Sequence, residues 1–174
     1  IANNDKVGVI FFSDKVEKFI PAQKGKTHVL HIIRELLSFE PSSSGTDIAQ
    51  ALQYFANAQK RHCTAFLISD FIGSGTMYKP LLIASNRHEL NAIQIYDRRE
   101  AELPNVGLVK FHDAETGGDL WVDTSIAAVR NEYAKTWNDN QNELQQLFTR
   151  TGVNNISIRT DEDYVKALMH LFRC

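Results

Sequence analysis

Apolar residues in the first half of the chain recur with two periods, and these predict strands that alternate with helices. An apolar run of buried-strand length lies at residues 7–12, and residues 63–69 and 90–96 predict two further, parallel-type strands. Residues 16–21 alternate instead, and they are expected to pair with the first run as a hairpin at the sheet edge. Helical spacing marks residues 27–39, a segment beginning near 48, and a shorter stretch over 76–86. The pattern predicts an α/β fold with a doubly wound, mostly parallel sheet and helices on both faces.

The second half has a different rhythm. Residues 107–112 and 120–123 flank a polar, glycine-containing turn and predict a hairpin. Ser125 is expected to cap a long helix that ends before Gly152. A last strand is predicted at 156–159, and Thr160 with Asp163 predicts a capping box for the final helix.

Chain length favours a single domain over residues 1–174. In that domain, residues 1–97 would supply the core strands and helices. Residues 98–174 would supply the hairpin, the long helix, the last strand and the C-terminal helix.

Composition excludes several classes of function. The net charge of −2 and the isoelectric point near 6.3 argue against a surface for nucleic acid or for an anionic membrane. No apolar stretch approaches the ~20 residues that a membrane span needs. Two cysteines, Cys63 and Cys174, indicate a reducing compartment without a disulfide framework, so a cytoplasmic location is expected.

Thr46 and Asp70 are the first candidates for chemistry. Thr46 lies in a glycine- and serine-rich loop that runs into a predicted helix, and Asp70 ends an apolar strand. Open α/β sheets bind ligands beyond the carboxyl ends of their strands, and Mg²⁺ prefers oxygen ligands. A purely structural interpretation stays open for both residues. Thr46 could be the N-cap of the helix, and Asp70 could be a turn residue that accepts a hydrogen bond from its own backbone.

The segments 45–52 (GTDIAQAL) and 66–71 (FLISDF) resemble two of the three segments of the metal-ion-dependent adhesion site of von Willebrand factor A domains. The resemblance implies that Thr46 and Asp70 contact or support a divalent cation such as Mg²⁺. The family's first segment, Asp-x-Ser-x-Ser, is absent from this chain. We therefore expect the von Willebrand A-like domain to lack its opening central strand and first helix, and to bind the cation weakly or not at all.

Further segments at residues 4–14, 96–104, 113–117 and 121–125 follow one another in an order that resembles bacterial "domain of unknown function 58" proteins. Such proteins carry a von Willebrand A-like domain and are often encoded beside MoxR-type AAA+ ATPases. The resemblance implies a non-enzymatic protein-interaction module that works with such an ATPase in protein assembly or maturation.

A dense charge cluster follows the predicted strand 90–96, at its carboxyl end. Its members are Asp97, Arg98, Arg99, Glu100 and Glu102. We favour an ion-pair network that fixes the following loop, with a partner-recognition rim as the functional alternative. A metal-dependent phosphoryl hydrolase is the alternative function. In that hypothesis Asp70 holds the ion and Arg98 or Arg99 clamps the substrate.

The expected absence of a central strand has a structural consequence. It would leave apolar edges on the strands 7–12 and 63–69, and such edges pair readily with other strands. We expect the two edges either to pair directly or to pair through a second copy of the chain, as a homodimer.

Overall fold

The computed structural model describes residues 5–73, 76–112 and 118–171 and shows a mixed α/β fold with one parallel sheet. The chain forms two compact units, and each is described by itself. Unit 1 comprises residues 1–60 and 73–80, and unit 2 comprises residues 61–72 and 81–174. The expectation of one domain stays a prediction. The expected hairpin turn at 113–117 and Cys174 lie outside the described residues.

Apart from the short helix at residues 98–101, which was not predicted, the helices and strands follow the predicted order, and most of their ends lie within two residues of the predicted ones. In chain order they are β1 (Val7–Phe12), β2 (Val16–Gln23), α1 (Lys26–Ser38), α2 (Ile48–Ala58), β3 (Thr64–Ser69), α3 (Tyr78–Arg87), β4 (Glu89–Tyr96), α4 (Arg98–Ala101), β5 (Leu108–His112), β6 (Asp119–Asp123), α5 (Ala127–Thr151), β7 (Asn154–Arg159) and α6 (Tyr164–Leu171). None of the described helices is both long and apolar enough to cross a membrane.

Unit 1 is built on the predicted β1–β2 hairpin, whose strands are antiparallel. The pairing register shifts by one residue between Ile20 and Gln23, in the stretch that contains Pro21. Proline cannot donate to a strand ladder, so it is tolerated at such a bulge. Gly8 lies against the same stretch, because a Cβ there would come within 2.8 Å of the backbone nitrogen of Ala22. Ile48 and Leu52 of α2 are buried in this unit.

Unit 2 contains the parallel sheet, with strand order β3-β4-β7. Leu81 and Ala84 of α3 and Ala92 of β4 are fully buried, and they form the centre of its core. α5 ends at Gly152 as predicted, with a φ of 66° in the left-handed region that glycine tolerates best. The hairpin β5–β6 is also confirmed as an antiparallel pair.

Three details differ from the sequence predictions. Among the described residues the strands form three sheets, β1-β2, β3-β4-β7 and β5-β6, rather than one sheet with a hairpin at its edge. In this topology β1 pairs with β2 and β3 pairs with β4, so the described strands do not show the expected direct pairing of β1 with β3. Pairing through a second copy of the chain stays a prediction.

The other two differences concern helix starts. Ser125 does not cap α5, which begins after Ile126; instead the Ser125 hydroxyl donates to Asp123. Asp163, and not Thr160, supplies the side-chain cap of α6, because its carboxylate accepts a hydrogen bond from the backbone N–H of Val165.

Candidate functional site

The carboxyl edge of the parallel sheet gathers polar residues from all three strands. Asp70 follows β3, Asp97 follows β4 and Thr160 follows β7. Because the strands are parallel and in register, their carboxyl ends share one edge. The hydroxyl of Thr160 donates to Oδ2 of Asp97 over 3.2 Å, and the Thr160 amide donates to the carbonyl of Tyr96 over 3.0 Å.

Asp70 occupies a tight turn directly after β3. Its Oδ1 accepts from the backbone N–H of Ile72 at 3.1 Å and from the hydroxyl of Ser69 at 3.4 Å. The side-chain amide of Gln94 donates to the Asp70 carbonyl at 3.2 Å, so the neighbouring strand β4 holds the turn in place. Within the described residues, Oδ2 of Asp70 accepts no hydrogen bond. The turn interpretation therefore accounts for one carboxylate oxygen and leaves the other available.

The residue after Asp70 is strained. Phe71 has a φ of 60°, and it is the one non-glycine residue of the described chain with a positive φ. Its buried ring packs edge-on against Phe148 of α5, with 5.4 Å between ring centroids. The left-handed conformation lets the chain turn sharply, so that Asp70 stays at the sheet edge while the next side chain enters the core.

Asp97 is the N-cap of the short helix α4. Its Oδ1 accepts from the backbone N–H of Arg99 at 2.8 Å, and its Oδ2 accepts from Thr160. Arg98 forms an exposed ion pair with Glu102 at 3.8 Å. These contacts are the kind expected of a network that fixes the loop after β4.

Both aspartates act electrostatically on Glu100 of α4. Burial, and then the charges of Asp70 and Asp97, raise the pKa of the Glu100 carboxyl group, against a lowering by a backbone hydrogen bond at Asp97. Its Oε2 is buried and has no hydrogen-bond partner among the described residues. Glu100 in turn acts on Tyr133 of α5, whose pKa is raised by burial and then by the charge of Glu100. We call Asp70, Asp97 and Glu100 together the acidic edge.

Thr46 lies in unit 1 and is exposed. It is not the N-cap of α2, because Asp47 takes that position and accepts from the backbone N–H of Gln50 at 2.9 Å. The structural interpretation of Thr46 as a cap is therefore wrong. Its loop is held by the hydrogen bond of 2.8 Å from the Asp47 amide to the carbonyl of Ser13. Thr46 and Asp70 belong to different units, and their joint action stays a prediction.

The described residues do not by themselves complete a cation site. Among residues 5–73, 76–112 and 118–171, no group of three or more histidine, cysteine, aspartate or glutamate side chains could hold a metal ion. The acidic edge supplies oxygen donors of the type that Mg²⁺ prefers, but Asp97 is occupied by capping and the protonated form of Glu100 is favoured by its surroundings.

Two polar clusters were missed by the sequence reasoning. Glu17 accepts from the hydroxyl groups of Ser13 at 2.7 Å and Ser42 at 2.8 Å, and these hydrogen bonds lower its pKa. The run of serines at 42–44 was the available signal. In unit 2 the thiol of Cys63 lies 3.6 Å from Nδ1 of His88.

The amino-acid sequence also matches a protein family over most of its length. A family model described as "Protein of unknown function DUF58" matches residues 1–143. The chain belongs to this family. An uncharacterized protein from Mycobacterium bovis is 28% identical to this DUF58 chain over 165 residues, covering 92% of this chain and 51% of the relative. One from Mycobacterium avium is 28% identical over 158 residues, covering 88% and 92%. This DUF58 chain thus spans about half the length of the first relative.

Two solved structures share the fold of this DUF58 chain. The conserved hypothetical protein BatB from Bacteroides thetaiotaomicron has a TM-score of 0.55 and 16% identity, covering 98% of this chain and 81% of that one. An aerotolerance-related membrane protein from Bacteroides fragilis has a TM-score of 0.56, 19% identity and the same coverage. At these identities the likeness concerns the fold alone.

Proposed function

We propose that this DUF58 chain is a non-enzymatic protein-interaction module that presents its acidic edge to a protein partner. One observation carries the proposal: Asp70 and Asp97 end neighbouring parallel strands, and both act on the pKa of Glu100. Three carboxyl groups, one after β3, one after β4 and one in α4, therefore belong to the edge of an α/β sheet where ligands usually bind.

The contacts at this edge favour recognition. The Asp97 carboxylate is held by the hydrogen bonds that it accepts from the amide of Arg99 and the hydroxyl of Thr160. The backbone of Asp70 is held by the hydrogen bond that Gln94 donates to its carbonyl. Such fixed side chains lose little conformational freedom when a partner binds. The free Oδ2 of Asp70 is suited to a lysine or arginine of the partner, since charge-assisted hydrogen bonds are the stronger ones.

We also propose the finer von Willebrand A-like architecture, in which Asp70 and Thr46 help to hold a divalent cation such as Mg²⁺. The sequence segments 45–52 and 66–71 support this hypothesis, as does the available oxygen of Asp70. Because the described side chains do not complete a cation site, we expect weak affinity for Mg²⁺. Titration calorimetry should then give a signal that Asp70→Asn abolishes and that Glu143→Gln, at an exposed acid of α5 outside the acidic edge, does not.

The partner that we propose is a MoxR-type AAA+ ATPase, on the strength of the family resemblance. Biolayer interferometry with the purified chain and such an ATPase from the same genome would test the pairing. Binding that is weakened by Asp70→Asn and Asp97→Asn, and not by Glu143→Gln, supports the acidic edge as the contact. Equal binding by all variants would show that the acidic edge is not part of the interface. The absence of binding by the wild-type chain would refute the proposal that the ATPase is its partner.

The phosphoryl hydrolase remains the alternative function. Arg98, which was given the role of substrate clamp, already pairs with Glu102. A screen of generic phosphoesters with Mg²⁺ and Mn²⁺ separates the two functions. Turnover that is lost in Asp70→Asn would favour the enzyme over the interaction module.

A further inference from the structure

α1 presents an apolar stripe to solvent along its whole length. Leu30, Ile33, Leu36 and Leu37 are 53%, 45%, 61% and 83% exposed, and no residue of this helix is buried. The 3-4 spacing of Leu30, Ile33 and Leu37 places these three on one side of the helix, with Leu36 beside them. Four large exposed apolar side chains on a single 13-residue helix are typical of a surface that packs against another helix.

The opposite side of α1 contacts the β1–β2 hairpin of unit 1. His28 bonds the carbonyl of Val7 through Nε2 over 2.8 Å, and Glu35 forms an ion pair with Lys18 of β2. Just after the helix, the ring of Phe39 stacks on Phe11 with 4.9 Å between centroids. These contacts fix which side of α1 faces the hairpin, so the apolar stripe cannot rotate inward without breaking them.

Charges at the two ends of the stripe differ in sign. Lys26 begins α1 and lies four residues before Leu30, while Glu40 lies just beyond the other end, three residues after Leu37. Both are exposed, and neither forms an ion pair within the described part of the chain. A matching surface therefore needs an apolar centre, an acidic group opposite Lys26 and a basic group opposite Glu40.

A second copy of α1 in antiparallel orientation has this character. We propose that two copies of this chain pair through α1, about a twofold axis close to Ile33. In that arrangement the leucines of one helix meet those of the other, and each Lys26 lies at the end that carries the partner's Glu40. A parallel pair would instead set Lys26 against Lys26, so the charges select the antiparallel one. The antiparallel arrangement also opposes the two helix dipoles favourably.

This proposal does not depend on the proposed function, because it uses α1 and not the acidic edge. It also differs from the strand-mediated homodimer expected from the sequence. Analytical ultracentrifugation over a wide concentration range tests it directly. We expect the wild-type mass to rise with concentration from 19.7 kDa towards twice that value. Leu30→Glu and Leu37→Glu should each weaken association by at least about tenfold.

Charge exchange makes the test specific for the antiparallel arrangement. Lys26→Glu and Glu40→Lys should each weaken association, and the double variant Lys26→Glu/Glu40→Lys should restore it. Leu120→Glu, at an equally exposed leucine of β6, is the matched control and should leave association unchanged. Far-UV circular dichroism checks that each variant is folded.

Three results would overturn the proposal. One is a wild-type chain that stays monomeric at every concentration. Another is association that is lost in Ile68→Lys, on β3, but kept in Leu37→Glu, which would assign pairing to a strand edge. The third is a double variant that associates no better than either single charge variant.

Discussion

The hydroxyl group of Thr160 donates a hydrogen bond to Oδ2 of Asp97 over 3.2 Å and so ties the end of β7 to the end of β4. Since Oδ1 of the same carboxylate caps α4, Asp97 connects three elements of unit 2, namely β4, α4 and β7. The loop after β4 therefore takes its position from the sheet itself.

Removal of the Asp97 carboxylate should destabilise unit 2. We expect Asp97→Ala to lower the free energy of unfolding by about 1 kcal/mol, the usual loss for an N-cap. Asp97→Asn should keep most of the stability, because asparagine caps helices as well as aspartate does. Urea unfolding followed by tryptophan fluorescence measures this, since Trp137 packs against Tyr96 in the same unit. Equal losses in both variants would contradict the capping role.

Glu100 should make the stability of unit 2 depend on pH. Its pKa is raised above the ordinary value of 4.5, so the folded state holds the Glu100 proton more tightly than the unfolded state does. The free energy of unfolding then falls as pH rises from about 4.5 through the folded-state pKa. Glu100→Gln should thus stabilise the protein at neutral pH by up to about 1 kcal/mol.

The control for Glu100→Gln is acidic pH. Below pH 4.5 the wild-type carboxyl group is protonated in both states, and the difference between the two proteins should shrink. Urea midpoints at several pH values measure it. A constant difference at all pH values would show that the substitution acts through packing and not through charge.

The core of unit 2 should be most sensitive at Leu81. This side chain is fully buried, so Leu81→Ala should cost about 2–5 kcal/mol through lost burial and the cavity left behind. Ile83→Ala removes an apolar side chain from the same helix at a site that is 48% exposed, and it should cost far less. Similar losses for the two variants would mean that α3 packs differently.

Gly152 should tolerate asparagine better than alanine. The φ of 66° is strained for a residue with a Cβ, although no atom lies within 4 Å of the position a Cβ would take. We expect Gly152→Ala to cost about 1 kcal/mol and Gly152→Asn less, because asparagine enters the left-handed region more readily. Thermal unfolding of the two variants compares them, and a cost in the reverse order would contradict the backbone explanation.

Cys63 should be a slow nucleophile at neutral pH. Burial raises the pKa of its thiol, so little thiolate is present. Burial, and then His62 and Arg87, lower the pKa of the neighbouring His88, so this imidazole is largely neutral and gives the thiolate little help. In a Cys174→Ser background, iodoacetamide should label Cys63 more slowly in the folded chain than in urea. Equal rates would show an activated or fully accessible thiol.

The elements that sequence could predict are those whose signal is local. The apolar run of β1 and the glycine after α5 reflect burial and backbone strain, which neighbouring residues report directly. Thr160 and Ser125 show the limit. Both have the hydroxyl typical of a helix cap, but their partners are Asp97, 63 residues away, and Asp123. For Thr160 the acceptor is brought near only by the fold, and the local pattern does not contain that information; for Ser125 a carboxylate two residues earlier competes with the cap.

The candidate site shows the same division. Asp70 and Asp97 were found because they end predicted strands, a position that periodicity reveals. The raised pKa of Glu100 depends on its burial and on the charges of both aspartates, which no spacing rule predicts. Asp47 rather than Thr46 caps α2 for a similar reason, since the choice between adjacent capping residues is set by the path of the loop.

The strained turn at Phe71 has a mechanical consequence for the sheet edge. Its ring packs against Phe148, and the preceding residue is Asp70, whose carboxylate we propose as a binding group. A displacement of the Asp70 backbone would require the ring of Phe71 to leave the core. We therefore expect Asp70 to be rigid and already oriented for binding. The rate of association with a partner should then depend on how the two molecules collide and not on a prior change in loop conformation.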